Sequence, residues 1–278
     1  MRPSEWKKWK MVQKSIKSQY ALLEKACKAA LNPKKVLKIA AFDIALLAFV
    51  IAVLFILSNM LGESALKLQY LIPQLQAVSA QAGTGAGLDP SLITATGQQL
   101  QALTSELGKV ISGLIASLLI IIAASIALKG KVWALTLGVN FTKGFFFRHM
   151  TAYLLWTFGF AILLAIAMLI HPYAIVAGIA AFLYFSFIFY AQLKKGKGIF
   201  RRIAETFRLG LRYPISFLGI YAIAIAASAI IYWFAAMLGQ AIIPMEVAGW
   251  ASLIAVIVIF SWARIGVSFV VEELATFP

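Results

Sequence analysis

KKGKGIFRRIAETFRLGLRYP, residues 194–214, lies between two long apolar runs and carries positive charge at Lys194, Lys195, Lys197, Arg201, Arg202, Arg208 and Arg212. A connection this basic resists crossing a membrane. Placed in the cytoplasm, it obliges the apolar runs on either side of it to thread outward and back. The whole chain then reads as an all-α, polytopic bundle of six transmembrane spans.

Composition agrees with lipid as the solvent. Of 278 residues, 62% are hydrophobic and 13% charged, and the mean hydropathy is +0.91, far from soluble usage. A net charge of +15 in a soluble protein would point to nucleic acid. Here the positives sit beside apolar runs, where anionic headgroups of the inner leaflet are the nearer partner, and no nucleic-acid surface is expected. The single Cys27 excludes an internal disulfide and a Cys-rich metal site.

Upstream of the basic stretch, residues 173–193 read as an inward span, aromatic toward its inner end, and 151–170 as the outward span before it, joined outside at His171-Pro172. Residues 132–150, with Lys143, Arg148 and three consecutive Phe, read as an interfacial segment. Residues 110–128 form an inward span closed by Lys129-Gly-Lys131, and 36–61 the first outward span, since about 20 apolar residues at about 1.5 Å each cross a hydrocarbon layer of about 30 Å. Downstream, 215–238 and 247–271 complete the set. The domain layout is a cytoplasmic amphipathic interfacial helix over 1–35, a membrane domain over 36–271 and a cytoplasmic tail over 272–278.

Segment 62–109 holds only Lys67 and Lys109 as positives and is placed outside. Leu68, Leu71, Leu75 and Val78 on one limb, and Leu100, Leu103, Leu107 and Val110 on the other, follow helical spacing around a Gly-rich tip. An external helical hairpin that extends the first two spans is expected, with Pro73 as a kink and a disordered loop as the competing reading. Twenty-two positives inside against two outside, with Arg264 within a span, put both termini in the cytoplasm. Direct insertion into a prokaryotic cytoplasmic membrane fits this asymmetry.

The N-terminal segment places Trp6, Trp9, Val12, Ile16, Tyr20, Leu23, Cys27 and Ala30 at spacings of three and four. Lys7, Lys8 and Lys10 are among the residues that fill the rest. Two Trp anchors with flanking Lys suit a helix in the headgroup plane; the alternative is packing on a soluble partner or on the protein's own loops. Asn32-Pro33 ends the helix. A threefold internal repeat of interfacial helix plus helical hairpin is suggested by Lys129-Gly-Lys131 with Phe141 and Gly144, which share the offsets of Lys195-Gly-Lys197 with Phe207 and Gly210. Glu24 to Pro33 matches Glu205 to Pro214 in the same way. Chance similarity among biased sequences competes with it.

KGKGIFRRIAETFRLGLRYP, a basic amphipathic segment leading into a span, resembles segments of poorly characterised polytopic families, notably the membrane domain attached to some glycerophosphoryl diester phosphodiesterases. The resemblance covers about the second half of the chain. It implies a membrane-embedded, non-catalytic module without the phosphodiesterase's soluble domain.

Asp43 and Arg264 are the ionisable residues well inside spans, where an unpaired charge costs several kcal/mol. Asp43 lies about seven residues in from the cytoplasmic start of the first span and Arg264 about eight before Glu272 at the end of the last, so their depths agree and they are expected to pair. A static ion pair, a proton or ion relay, and independent snorkelling are the three readings. Ser112, Ser117, Ser125, Ser228, Ser252, Ser261 and Tyr221 suit backbone bonding or packing better than a polar path. His149 and His171 fall at opposite faces and cannot share a metal. No phosphate loop, GxSxG, HExxH or paired carboxylates are present, so neither an enzyme, a cofactor nor a metal site is expected.

Two functions of different class follow. The first is a non-catalytic membrane protein that binds or organises lipid, or a protein partner at the external hairpin. Its lipid contacts would be Lys7, Lys8, Lys10, Lys194, Lys195, Lys197, Arg201, Arg202, Arg208 and Arg212, with Trp6 and Trp9 as interfacial anchors. The second is a small-molecule or ion transporter or channel built on the six spans.

Overall fold

The fold comes from a computed structural model, which describes residues 3–83, 90–171, 173–194, 198–241 and 244–276. Side chains are described within these segments except at 3–15, 74–75, 77–83, 90–96, 99, 170, 241 and 276. The chain is all-helical, 94% helix with no strand among the described residues. In order the helices are α1 (Pro3–Ala29), α2 (Pro33–Gly83), α3 (Pro90–Leu137), α4 (Lys143–Ile170), α5 (Ala174–Ala191), α6 (Ile199–Arg212), α7 (Pro214–Ala241) and α8 (Met245–Thr276).

Six of them, α2, α3, α4, α5, α7 and α8, are long and apolar enough to cross a membrane. Their outward faces carry rows of exposed large apolar side chains, among them Phe158, Ile162 and Ile166 on α4 and Ile223, Ile230 and Trp233 on α7. A soluble monomer does not tolerate apolar patches of that extent. The protein is a multi-pass membrane protein.

Two compact units are distinguished, residues 46–125 on one hand and 1–45 with 126–278 on the other. The first holds α2 from residue 46 onward and α3 up to residue 125. Helix α2 runs unbroken through Pro73 for 51 residues and α3 runs for 48. Met60 covers Gly113, whose missing Cβ leaves the space for it. Buried Glu106 on α3 accepts a hydrogen bond from Ser64 Oγ of α2 at 3.2 Å. It also meets Lys109 Nζ at 2.8 Å and Lys67 Nζ at 3.7 Å. Ser64 and Lys67 of α2 thus both meet Glu106 of α3, and Lys109 adds a pair within α3. The tip at 84–89 lies outside the described residues.

In the larger unit α7 packs along α8, α4 on α5, and α5 on both α6 and α8. Its core is aromatic. Trp156 of α4 stacks on Phe189 of α5 at 4.4 Å between ring centroids, and its Nε1 donates to Ser186 Oγ at 2.9 Å. An indole so buried needs an acceptor, and Ser186 supplies it.

Residues 132–150, expected as one interfacial segment, hold the end of α3 and the start of α4. Helix α3 continues to Leu137 and closes on Gly138 at φ +65°. Val139 N–H donates back to Ala134 O at 3.0 Å, the six-to-one bond of a helix ended by a left-handed glycine. Thr142 then caps α4 through Phe145 N–H. Val132, Trp133, Ala134, Phe145 and His149 are buried, whereas Lys143, Phe147 and Arg148 are exposed, so the stretch has a core side and an open side. No separate helix precedes α4, whereas α1 precedes α2 and α6 precedes α7.

Helix α1 is also docked. Gln19 Oε1 accepts from Ile215 N–H at 3.1 Å, and Ser216 Oγ donates to Gln19 O at 3.1 Å, so α1 satisfies the first turn of α7. Gln19, Ala26 and Ala30 are buried, and Leu22 and Leu23 pack beside them, while Tyr20 is exposed. Small Ala26 and Ala30 let neighbouring helices approach, and Tyr20 stays on the open side.

Candidate functional site

Asp43 and Arg264 meet. Arg264 Nη1 donates to Asp43 Oδ2 at 2.9 Å, joining α8 to the N-terminal part of α2. Their side chains are 12% and 17% exposed. Ser261, one turn earlier on α8, shares its one hydroxyl proton between the same carboxylate oxygen at 3.2 Å and Ile257 O at 2.9 Å. The guanidinium is held from its other side by aromatic faces, with Trp133 of α3 at 5.5 Å and Phe187 of α5 at 5.4 Å from the ring centroids. Cation–π contact of this kind strengthens as water is removed. Arg264 thus ties four helices together, and its Nε is buried with no hydrogen-bond acceptor among the described residues.

Beside this pair lies a cleft of about 220 Å³ bordered by α3, α4, α5 and α8. Its walls are Trp133, Phe182 and Phe187, and its polar groups include Lys129, Tyr153, Thr157, Ser186, Tyr190 and Arg264. Lys129 Nζ lies over the Tyr153 ring at 5.6 Å. His149, fully buried, stacks on Tyr153 and lies tilted against Tyr190, and neither ring nitrogen has a hydrogen-bond partner among the described residues. Sequence reasoning missed this cleft. The spacing of its members, spread from 129 to 264, gives no local signal.

Helix α6 presents two faces. Inward, Arg202, Thr206 and Gly210 are buried at four-residue spacing. Gln192 Nε2 donates to Thr206 Oγ1 at 2.8 Å, and Tyr184 Oη donates to Gly210 O at 2.8 Å. A Cβ at Gly210 would lie 2.6 Å from Phe185 Cε1, so glycine allows the close seat of α6 on α5. Outward, Phe200 and Leu211 are 80% and 73% exposed, and Arg201, Ala204, Arg208 and Arg212 share that side.

The expected lipid contacts divide accordingly. Arg201, Arg208 and Arg212 are exposed, whereas Arg202 is drawn into the protein and is corrected from lipid contact to internal residue. Its burial disfavours the charged form and lowers its pKa. Lys194 forms an ion pair with Glu272 at the end of α8. Lys195 and Lys197 lie outside the described residues, as do the side chains of Trp6, Trp9, Lys7, Lys8 and Lys10. Lys35, unremarked in the sequence, donates from Nζ to Thr136 O at 2.8 Å and caps the end of α3. Burial pushes the Cys27 thiol up, away from reactivity. Among the described residues no three His, Cys, Asp or Glu side chains gather as metal donors would. Comparison of the chain with protein families, with curated proteins and with solved structures finds no match.

Proposed function

We propose that this is a non-catalytic multi-pass membrane protein that grips the anionic cytoplasmic leaflet through basic amphipathic helices, α6 above all. The observation that carries the reading is the outward side of α6, where Phe200 and Leu211 stand exposed among Arg201, Arg208 and Arg212. Apolar side chains at the acyl boundary with guanidinium groups reaching phosphate are what a helix in the headgroup plane requires. Rigid docking supports it too, since the inward face leaves α6 little freedom to turn those residues away from the membrane.

The transport reading gains one observation, the cleft beside Arg264. Against it, all six spans are continuous helices, without the interruptions that often build a substrate site. The lipid reading is tested by a nitroxide on Ala204→Cys, in a Cys27→Ser background, in nanodiscs of anionic or zwitterionic lipid. In anionic discs the label is expected to be shielded from a water-soluble paramagnetic chelate and accessible to oxygen. Replacing Arg201, Arg208 and Arg212 by Gln is expected to remove the difference between the two lipids. Equal chelate access in both lipids, before any substitution, overturns the reading.

A further inference from the structure

We infer that the cleft bordered by α3, α4, α5 and α8 is a binding site for a phosphate-bearing anion. Two cations line it, Lys129 and Arg264, and the carboxylate paired with Arg264 is Asp43. One positive charge is left over. Among the described residues no carboxylate lies within ion-pair distance of Lys129, which is held instead over the Tyr153 ring. Lys129 closes the cytoplasmic end of its span and is half-buried, and an ammonium drawn partly out of water with one aromatic contact gains from a further partner. Arg264 offers a second unmet donor, its buried Nε.

Around these donors the cleft has hydroxyl groups at Thr157 and Tyr190 and an aromatic wall. That combination of few polar groups in an apolar recess is the usual form of a small-molecule site, while about 220 Å³ is below the range of about 300 Å³ and upward that holds a whole drug-sized ligand. A headgroup or a small free anion fits, and a complete amphiphile fits only with its chains outside. Leu183 at the rim is 57% exposed on α5, an apolar edge suited to chains lying in lipid. The acceptor geometry favours phosphate over halide, because several oxygens can take bonds from Lys129 and Arg264 at once.

This site is separate from the outward side of α6, and its test separates them. The intact protein, delipidated in detergent, is titrated with phosphatidylglycerol, with phosphatidylcholine and with inorganic phosphate, and occupancy is read by native mass spectrometry and by 31P resonance. Phosphatidylglycerol or inorganic phosphate is expected to bind in one tight step that Lys129→Gln weakens about tenfold, the effect of losing one charge-assisted bond. Lys129→Arg is expected to restore it, and the Arg201, Arg208 and Arg212 substitutions to leave it unchanged. Phosphatidylglycerol binding that excess inorganic phosphate does not displace identifies the source as lipid, and saturable phosphate binding identifies it as a soluble anion. No tight step with either ligand overturns the inference. So does a step that Lys129→Gln leaves intact, or one that phosphatidylcholine shares equally.

Discussion

Asp43 shows how much a single residue placed in lipid can reveal. Counting inward from the cytoplasmic end of each span put it level with Arg264, and the two lie 2.9 Å apart. The pair is only slightly exposed, so deleting one partner strands the other in a poor solvent. Asp43→Ala or Arg264→Ala is expected to cost about 3 kcal/mol, with the double variant less damaged than either single, because breaking a buried pair is worse than removing it. Thermal unfolding in detergent measures this, and a double variant no better than the worse single would refute the coupling. Ser261 and the Trp133 and Phe187 faces were not legible from spacing, since nothing local links residues 133, 187 and 261 to position 43. Depth is one-dimensional and the sequence records it, whereas azimuth around a bundle is set by packing. His149 makes the same point: read as lying at a membrane face, it is fully buried between Tyr153 and Tyr190.

At the scale of elements, helical periodicity gave the helices but not which way each side chain turns. On α6 every Arg looked alike, yet Arg202 shares a stripe with Thr206 and Gly210 and turns inward with them. Small residues at four-residue spacing were the available signal, because they are where another backbone can approach. Gly210→Ala is therefore expected to destabilise the seat of α6 by about 1–3 kcal/mol, the range for overpacking. Phe185, whose ring a Cβ would meet at 2.6 Å, is itself wedged against Tyr184 and Phe207 and cannot simply swing aside. Gly198→Ala, with nothing within 4 Å of its Cβ position, is the control and is expected to be neutral. Proteolytic nicking near residue 198 reads loosening of α6, and equal nicking of the two variants would count against the close seat. The stretch 132–150 divides in the same way, with Trp133, Phe145 and His149 turned inward and Lys143, Phe147 and Arg148 exposed, and composition alone does not make that division.

For the whole molecule, length and hydropathy sufficed to count the spans, since a run of about 20 apolar residues has few alternatives to crossing a bilayer. Orientation is a different kind of claim, resting on Lys and Arg crowding three connections while 62–109 holds two positives. It predicts that position 198, at the start of α6, and position 97, on the outer limb of α3, lie on opposite sides. Both are exposed glycines with nothing within 4 Å of a Cβ, so each accepts a cysteine without disturbing its surroundings. In a Cys27→Ser background, Gly97→Cys in spheroplasts is expected to react with a membrane-impermeant maleimide, and Gly198→Cys only after permeabilisation. Inverted vesicles should reverse the two. Labelling of position 198 from outside would place α6 on the outer leaflet, and the basic connections would then face away from the anionic lipid that gives their charge its purpose. The phosphate cleft would survive that result, because Lys129 and Arg264 face it whichever way the protein is inserted.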